Sequence, residues 1–471
     1  MFIRVGNLDH NTIRLDLNGV QHVRPPEGAE GNRTQLRPND ILISITAELG
    51  MVGLVPEDLP EAYINQHVAL ARPVGDVDAR FLAWFFATEG KVQLERLRRG
   101  ATKAGLGLDD IRSVDVSMPP LNEQRRIVDK IEALTERSRR AKEALDAIPP
   151  LLERFRQSVL AAAFRGDLTA DWRAKNPDVE SADKLLERIR AERRRRWEED
   201  YLAGQRAKGK EPTNDKWKAK YVEPEPVDME GLPELPAKWC WVTLDAVITG
   251  LEAGHSPRAH GRPANPEEYG VLKVSAVTWG TFLPEENKAL MVGQTPSAAS
   301  TVRRGDLLIT RANTAELVGA VVYVDQDHPR LMLSDKTLRI VPLDACAAPE
   351  YLLYALRSRW VRAVFEEDAT GTSNSMRNLS QPKIRSAPIP LPPLAEQRLL
   401  VSRLKGASDR RNAVRELVDA SVAGCASLEA AILAKAFRGE LVAREPSDEP
   451  ASEMLARLNV AASRRGPRSV P

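Results

Sequence analysis

The heptapeptide Pro119-Pro120-Leu121-Asn122-Glu123-Gln124-Arg125 returns later in the chain as Pro392-Pro393-Leu394-Ala395-Glu396-Gln397-Arg398. Downstream of each copy, Leu160-Ala161-Ala162-Ala163-Phe164-Arg165-Gly166-Asp167-Leu168 returns as Leu433-Ala434-Lys435-Ala436-Phe437-Arg438-Gly439-Glu440-Leu441. The offset from Leu121 to Leu394 and from Phe164 to Phe437 is the same, 273 residues. Loops tolerate insertions. A packed helix does not, because one added residue turns its apolar face by about 100°. Length kept while letters change therefore predicts two matched helical rods, each following a similar domain.

The periodicity agrees. Ile127, Ile131, Leu134, Ser138, Ala141, Leu145 and Ile148 recur at alternating steps of four and three, a heptad seam. Pro149-Pro150 predicts a kink or break, after which Leu152, Phe155, Val159 and Ala162 resume the stripe. Arg165-Gly166 is a helix stop. The second rod repeats the seam through Leu400, Leu404, Ala407, Arg411, Val414, Val418, Cys425, Leu428 and Ile432. Each rod is about 65 Å long at 1.5 Å per residue. Pairing the two rods antiparallel is the simplest way to cover both stripes.

Ahead of each rod the pattern is mixed α/β. In the first copy, β-branched runs surround an apolar helix expected over 79–97. Ile3-Arg4-Val5 matches Leu272-Lys273-Val274, and Asn39 to Ile43 matches Gly305 to Ile309. The organisation expected is a first α/β domain over 1–118, a helical region over 119–168 and a charged linker over 169–236. A second α/β domain follows over 237–391, then a second helical region over 392–441 and a polar tail over 442–471. Within the linker, Lys184 to Trp197 reads as a charged helix and Gly204 to Pro226 as a solvated connector. The second domain opens at Trp239-Cys240-Trp241-Val242, well before Leu272. The first has no counterpart of that opening and is expected to lack about thirty residues, through a misassigned start codon or a true truncation.

The formal net charge is +2, which neither demands nor excludes nucleic acid. Three scattered cysteines predict reduced thiols in a cytoplasmic protein. The first residues lack a signal-peptide pattern, and no run is expected to span a membrane. Nucleotide-loop, GxSxG, HExxH and CxxC patterns are absent, as is an Asn-Pro-Pro-aromatic motif. His255 and His260 share a polar loop without ligand spacing and read as solvated. No metal or catalytic group is assigned.

The repeated Pro-Pro-Leu-x-Glu-Gln-Arg, the long helix after it, and the closing Ala-Phe-Arg-Gly-(Asp/Glu)-Leu resemble the specificity subunit of type I restriction–modification systems. The resemblance covers essentially the whole chain. It implies an α+β architecture with a pseudo-two-fold internal repeat. Two target recognition domains would be separated by two long helices forming an antiparallel coiled coil. It further implies a non-catalytic subunit that reads a bipartite, asymmetric site on double-stranded DNA and docks two methyltransferase subunits. S-adenosylmethionine would belong to those partners, and a motor-nuclease subunit would join for restriction. A coiled-coil scaffold without sequence-specific DNA reading is the competing expectation.

Candidate DNA contacts are Arg24, Arg33, Arg37, Thr102 and Lys103 in the first domain. In the second they are Arg258, Arg262, Arg311, Asn313, Ser373, Asn374 and Arg377. Arginine suits guanine edges and phosphates, and asparagine suits adenine. Glu123, Gln124, Glu396 and Gln397 at the rod starts, with Phe164 and Phe437 at the rod ends, are candidate partner-docking residues; capping and core packing are the alternatives. Arg193 to Arg196, flanked by Glu192, Glu198 and Glu199, reads as a solvated helix face.

Overall fold

A computed structural model describes residues 1–10, 12–23, 33–46, 48–97, 105–210, 212–343, 348–373 and 376–463, with backbone alone at 372–373 and 459–463. The main helices are α1 (Ala79–Phe85), α2 (Leu121–Asp146), α3 (Ile148–Phe164), α4 (Ala182–Arg206), α5 (Pro349–Leu356), α6 (Arg359–Asp368), α7 (Leu394–Phe437) and α8 (Ala451–Ser463). The chain divides into two compact units, one of residues 1–148 with 416–471 and one of residues 149–415.

The first unit holds β1 (Phe2–Ile3), β2 (Ile41–Ser44), β3 (Val52–Leu54), β4 (Tyr63–Ile64) and β5 (Val68–Ala71). The second holds β6 (Cys240–Thr243), β7 (Ile248–Ala253), β8 (Gly270–Leu272), β9 (Asn287–Ala289), β10 (Thr301–Val302), β11 (Leu307–Thr310) and β12 (Ala312–Asn313). After these come β13 (Val321–Tyr323), β14 (His328–Met332), β15 (Thr337–Pro342), β16 (Thr370–Ser373), β17 (Met376–Asn378) and β18 (Pro388–Leu391).

The two heads carry the same ladders in the same register. β1 pairs parallel with β4 through Phe2↔Tyr63, and β8 pairs parallel with β14 through Val271↔Met332. β2 pairs with β5 through Ile43↔Ala69, and β11 pairs with β15 through Ile309↔Leu338. A one-residue slip would reverse the buried face of every strand, so conserved register is strong evidence of duplication. The turn entering β2 and β11 is shared too. Asn39 (φ 69°) and Gly305 (φ 92°) both sit in the left-handed region. Asp40 and Asp306 then each accept a backbone N–H from three residues upstream and an arginine fork, Arg72 or Arg339.

The long helices pair start-to-end within each unit. In the first, Ile127, Val128 and Ile131 at the start of α2 share a core with Ile432 and Ala436 at the end of α7. In the second, Leu160, Ala163 and Phe164 at the end of α3 share a core with Leu400 and Leu404 at the start of α7. The antiparallel expectation therefore holds in both. The double proline behaves as anticipated: α2 ends at Asp146 and α3 opens at Ile148, with Pro149 and Pro150 in its first turn.

The continuous seam does not form. Of the seam positions, Phe155 (45% exposed) and Val414 (40%) stay open in the second unit, as does Leu428 (54%) in the first. Past the proline break the buried positions become Leu160, Ala163 and Phe164, while Val159 and Ala162 are only half-buried. The expectation that no run reaches membrane length also fails at α7. Its most apolar window has a mean hydropathy of 1.6, and 11% of that window is buried. The cause is an alanine-rich second half whose apolar residues face outward.

Two segments are more ordered than their composition suggests. Residues 442–471 are not simply a polar tail, because α8 forms within them and buries Met454, while Asp448 accepts a forked bond from Arg126 of α2. In the connector, Trp217 is buried and stacks on Tyr201 at 5.0 Å and on Trp197 of α4 at 5.9 Å. Along α4, Arg194 pairs with Glu198, Arg195 with Glu192 and Glu199, and Arg196 with Glu192, but Arg193 turns inward to Asp245 and the Ile248 carbonyl, so the run is not a solvated face throughout.

Candidate nucleic-acid interface

At the outgoing end of β11 the chain builds a small frame. Arg311 N–H donates to the Lys336 carbonyl (2.9 Å), and Leu379 N–H donates to the Arg311 carbonyl (2.8 Å). β12 then pairs with β17 through Ala312↔Asn378 and Asn313↔Arg377. These bonds gather Arg311, Lys336 and Arg377 around one short three-stranded sheet, β12-β17-β16. Arg258 joins them from the loop after β7, which is tethered where the Ser256 hydroxyl bonds Asp335. Lys336 and Arg258 are exposed, and Arg311 and Arg377 are half-buried. The cluster is cationic and sits on loop and edge backbone; Asp335 is engaged by Ser256, and Arg377 Nη1 donates to the Gly371 carbonyl at 2.9 Å.

The first unit has the same frame at the end of β2. Ile45 N–H donates to the His67 carbonyl (3.0 Å), Leu106 N–H donates to the Ile45 carbonyl (2.9 Å), and Thr46 bridges Gly105. Ile45 thus stands where Arg311 stands, and His67 where Lys336 stands. The side chains differ throughout. His67 Nδ1 lies 2.9 Å from Thr46 Oγ1, and Gln66 Nε2 lies 3.4 Å from His67 Nε2, a polar, weakly charged surface in place of a cationic one. One backbone frame with two side-chain sets can present two different hydrogen-bond patterns.

The sequence candidates divide accordingly. Arg258, Arg311 and Arg377 converge at the second frame, and Ser373 lies on β16 beside it. Asn313 is buried, with its Oδ1 accepting from Thr314 N–H and its Nδ2 reaching the Val274 carbonyl, so it supports the frame from within. Arg262 forks onto Glu268 at 2.6 and 2.7 Å and holds that carboxyl down at about 2, which leaves it neutralised and away from the cluster. Arg33 and Arg37 are exposed but precede β2, at the opposite end of the strand from Thr46. Arg24, Thr102, Lys103 and Asn374 lie outside the described residues.

Most of the six docking candidates are interior groups. Gln124 and Gln397 each donate from Nε2 to the carbonyl of their leading proline, Pro119 (2.8 Å) and Pro392 (2.9 Å). Gln124 also accepts from Asp78 N–H at 3.0 Å, stitching α1 to α2. Glu396 is fully buried and accepts from Thr169, Arg173 and the Trp239 indole. Phe164 is fully buried against Tyr351 and Trp360, and Phe437 packs on Phe81 and Phe85 at 5.5 Å each. Glu123 is buried as well. Four of the six, Gln124, Glu396, Gln397 and Phe164, are closed off in the interior, whereas Glu123 and the half-buried Phe437 line an open cavity; the glutamines fasten each rod to the proline turn that leads into it.

Thr46, Gln66, His67 and Lys336 were not singled out from the residues alone. The signal was present in the repeat: Ile45 and Thr46 align with Arg311 and Ala312 on the same offset as β2 with β11, and His67 aligns with Lys336 on the offset of β5 with β15.

A duplicated α/β head on antiparallel helix pairs, with a polar frame at the same strand end of each head, defines a class of two-headed readers. Residues 27–148 match the family model described as type I restriction modification DNA specificity domain. The specificity subunit of the type I restriction enzyme EcoKI of Escherichia coli strain K12 is 25% identical over 462 residues, spanning 95% of this chain and 84% of that protein. The EcoEI specificity subunit of Escherichia coli is 29% identical over 255 residues, 54% of this chain but 40% of that relative's own length. Among solved structures, the HsdS subunit from Thermoanaerobacter tengcongensis shares the fold, with a TM-score of 0.51 and 20% identity over 93% of this chain and 90% of that one. A chain from a type I R-M system assembly gives a TM-score of 0.61 at 20% identity, covering 93% of this chain and 91% of that one. The family model and the curated relatives indicate the same family, the specificity subunits of type I restriction–modification systems, and the solved neighbours share the fold.

Proposed function

We propose that this chain is a DNA sequence-recognition subunit, each head reading one half of a bipartite, asymmetric site. The observation that carries this is the shared backbone frame with different polar side chains: Arg311, Lys336 and Arg377 in one head, Thr46, Gln66 and His67 in the other. Duplicated binding geometry with unlike readout fits a split target whose halves differ. Phosphate contacts from the arginines and Lys336 would supply salt-dependent affinity, and side chains at base edges would supply choice.

No catalytic step is assigned to this chain. In this reading two methyltransferase subunits, holding S-adenosylmethionine, dock on it and modify adenine, and a motor-nuclease subunit joins for restriction. The exposed apolar residues of the helices, Phe155 and Leu417 among them, are better suited to docking than the buried Glu-Gln motif. Methylome sequencing of the host with and without this gene tests the reading. Loss of one split adenine motif is expected; an unchanged methylome would overturn it.

A further inference from the structure

The two heads differ at one packed site. In the second unit, β6 lies against β18 through Ile389↔Val242 and Leu391↔Cys240, and Pro388 to Leu391 are all buried. Trp239, one residue ahead of β6, is buried and donates its indole N–H to Glu396 Oε2 at 2.8 Å. Pro236 closes over the helix-stop glycine, Gly166 (φ 82°), where an added Cβ would meet Pro236 Cγ at 2.3 Å.

In the first unit every receiving part of that site exists, but the side facing it is open. Residues 115–118, the counterpart of β18, form no strand and alternate between exposed and half-buried. Gln93 holds both backbone groups of Asp115 at 2.9 Å. The N–H groups of Val116 and Met118, counterparts of Ile389 and Leu391, meet no acceptor among the described residues. Gly439 (φ 74°), the counterpart of Gly166, has nothing within 4 Å of an added Cβ. Beside it is a cavity of about 430 Å³ lined by Phe81, Met118, Pro119, Glu123, Phe437 and Gly439, among others. Glu123, the counterpart of Glu396, is only 6% exposed, and its carboxylate has no hydrogen-bond or ion-pair partner among the described residues. The Glu123 carboxylate lines this cavity, which has room for an indole, so a donor from outside can reach it as the Trp239 indole reaches Glu396.

We propose that this site binds a tryptophan-led β-strand, its indole N–H on Glu123 and its backbone paired antiparallel with Val116 and Met118. The partner chemistry is that of the segment from Lys238 to Thr243, a tryptophan one residue before an apolar strand. Strand addition supplies main-chain bonds, and the pocket supplies selectivity for tryptophan.

The test uses the full chain and a fluorescein-labelled peptide with the sequence of residues 236–254, followed by fluorescence anisotropy. The peptide is expected to bind, and its Trp239→Ala form to bind about ten-fold more weakly or worse. Glu123→Ala in the protein gives a comparable loss, and hydrogen exchange slows at Val116 and Met118 when the wild-type peptide is present. Because the peptide variant is read against unaltered protein, misfolding cannot mimic the result. Equal binding of the Trp239→Ala peptide, no binding, or sedimentation showing that a second copy already fills the site would each overturn the proposal.

Discussion

The glutamates Glu123 and Glu396 share the motif Pro-Pro-Leu-x-Glu-Gln-Arg and end in different electrostatic situations. Glu396 sits fully buried among Arg173, Thr169 and Trp239. Glu123 is nearly as buried and faces an open cavity. The motif fixes where the helix starts and which way the glutamate points. What Glu396 is worth depends on a segment far away in sequence, Pro236 to Trp239, whose indole N–H it accepts. A repeated motif thus carries geometry without guaranteeing equal energetics.

The comparison breaks most readily at that position. Glu396→Ala strips the Arg173 guanidinium and the Trp239 indole of their acceptor and should cost about 3–5 kcal/mol, read from denaturant midpoints. Glu123→Ala should cost under about 1 kcal/mol, since the carboxylate accepts no hydrogen bond among the described residues and loses only its electrostatic contact with Arg126. Equal losses would show that the two sites are alike.

A second contrast lies at the rod ends. Phe164→Ala empties a fully buried ring site against Tyr351 and Trp360 and should cost about 3–5 kcal/mol. Phe437→Ala, on a half-buried ring, should cost visibly less when both are measured by thermal melting.

The frames are separated by charge. Lys336→Ala should weaken DNA binding and lower the slope of log affinity against log salt by about one, as expected for a lost phosphate contact. His67→Ala, which removes a hydrogen-bonding ring from a weakly charged surface, should leave that slope unchanged. A slope change for His67 but not Lys336, in a filter-binding salt series, would reverse the assignment.

The smallest effect expected is acid sensitivity. The Arg403 fork holds the Asp171 carboxyl down at about 2. A depressed carboxylate stabilises fully above its ordinary range and loses that contribution as pH falls toward 2. Asp171→Asn should therefore lower the melting temperature slightly at pH 6 and make no difference near pH 2. Asp448, lowered by Arg126 in the other unit, should behave in the same direction.

Much of the architecture was legible because helices and strands announce themselves locally. Ile127 and Ile131 fall on the buried face, the chain breaks at Pro149-Pro150, and the strand matches at Ile3/Leu272 and Asn39/Gly305 hold in the ladders. Less legible were features set by long-range contact. Phe155 and Leu428 have ideal seam spacing yet lie open, because spacing records a face and not its partner. Met454 and Trp217 lie in polar stretches but find cores supplied by distant segments. Candidate contacts chosen by residue type alone included Asn313, which the fold spends on its own frame, and passed over His67 and Lys336, which only strand pairing brings to the rim.

The most direct test of two heads reading two halves is selection of bound duplexes from a random pool, comparing the native chain with a Lys336→Ala, Arg377→Ala variant. The account predicts a split motif for the native chain and loss of information in one half only for the variant. Loss of both halves together, or of neither, would contradict it.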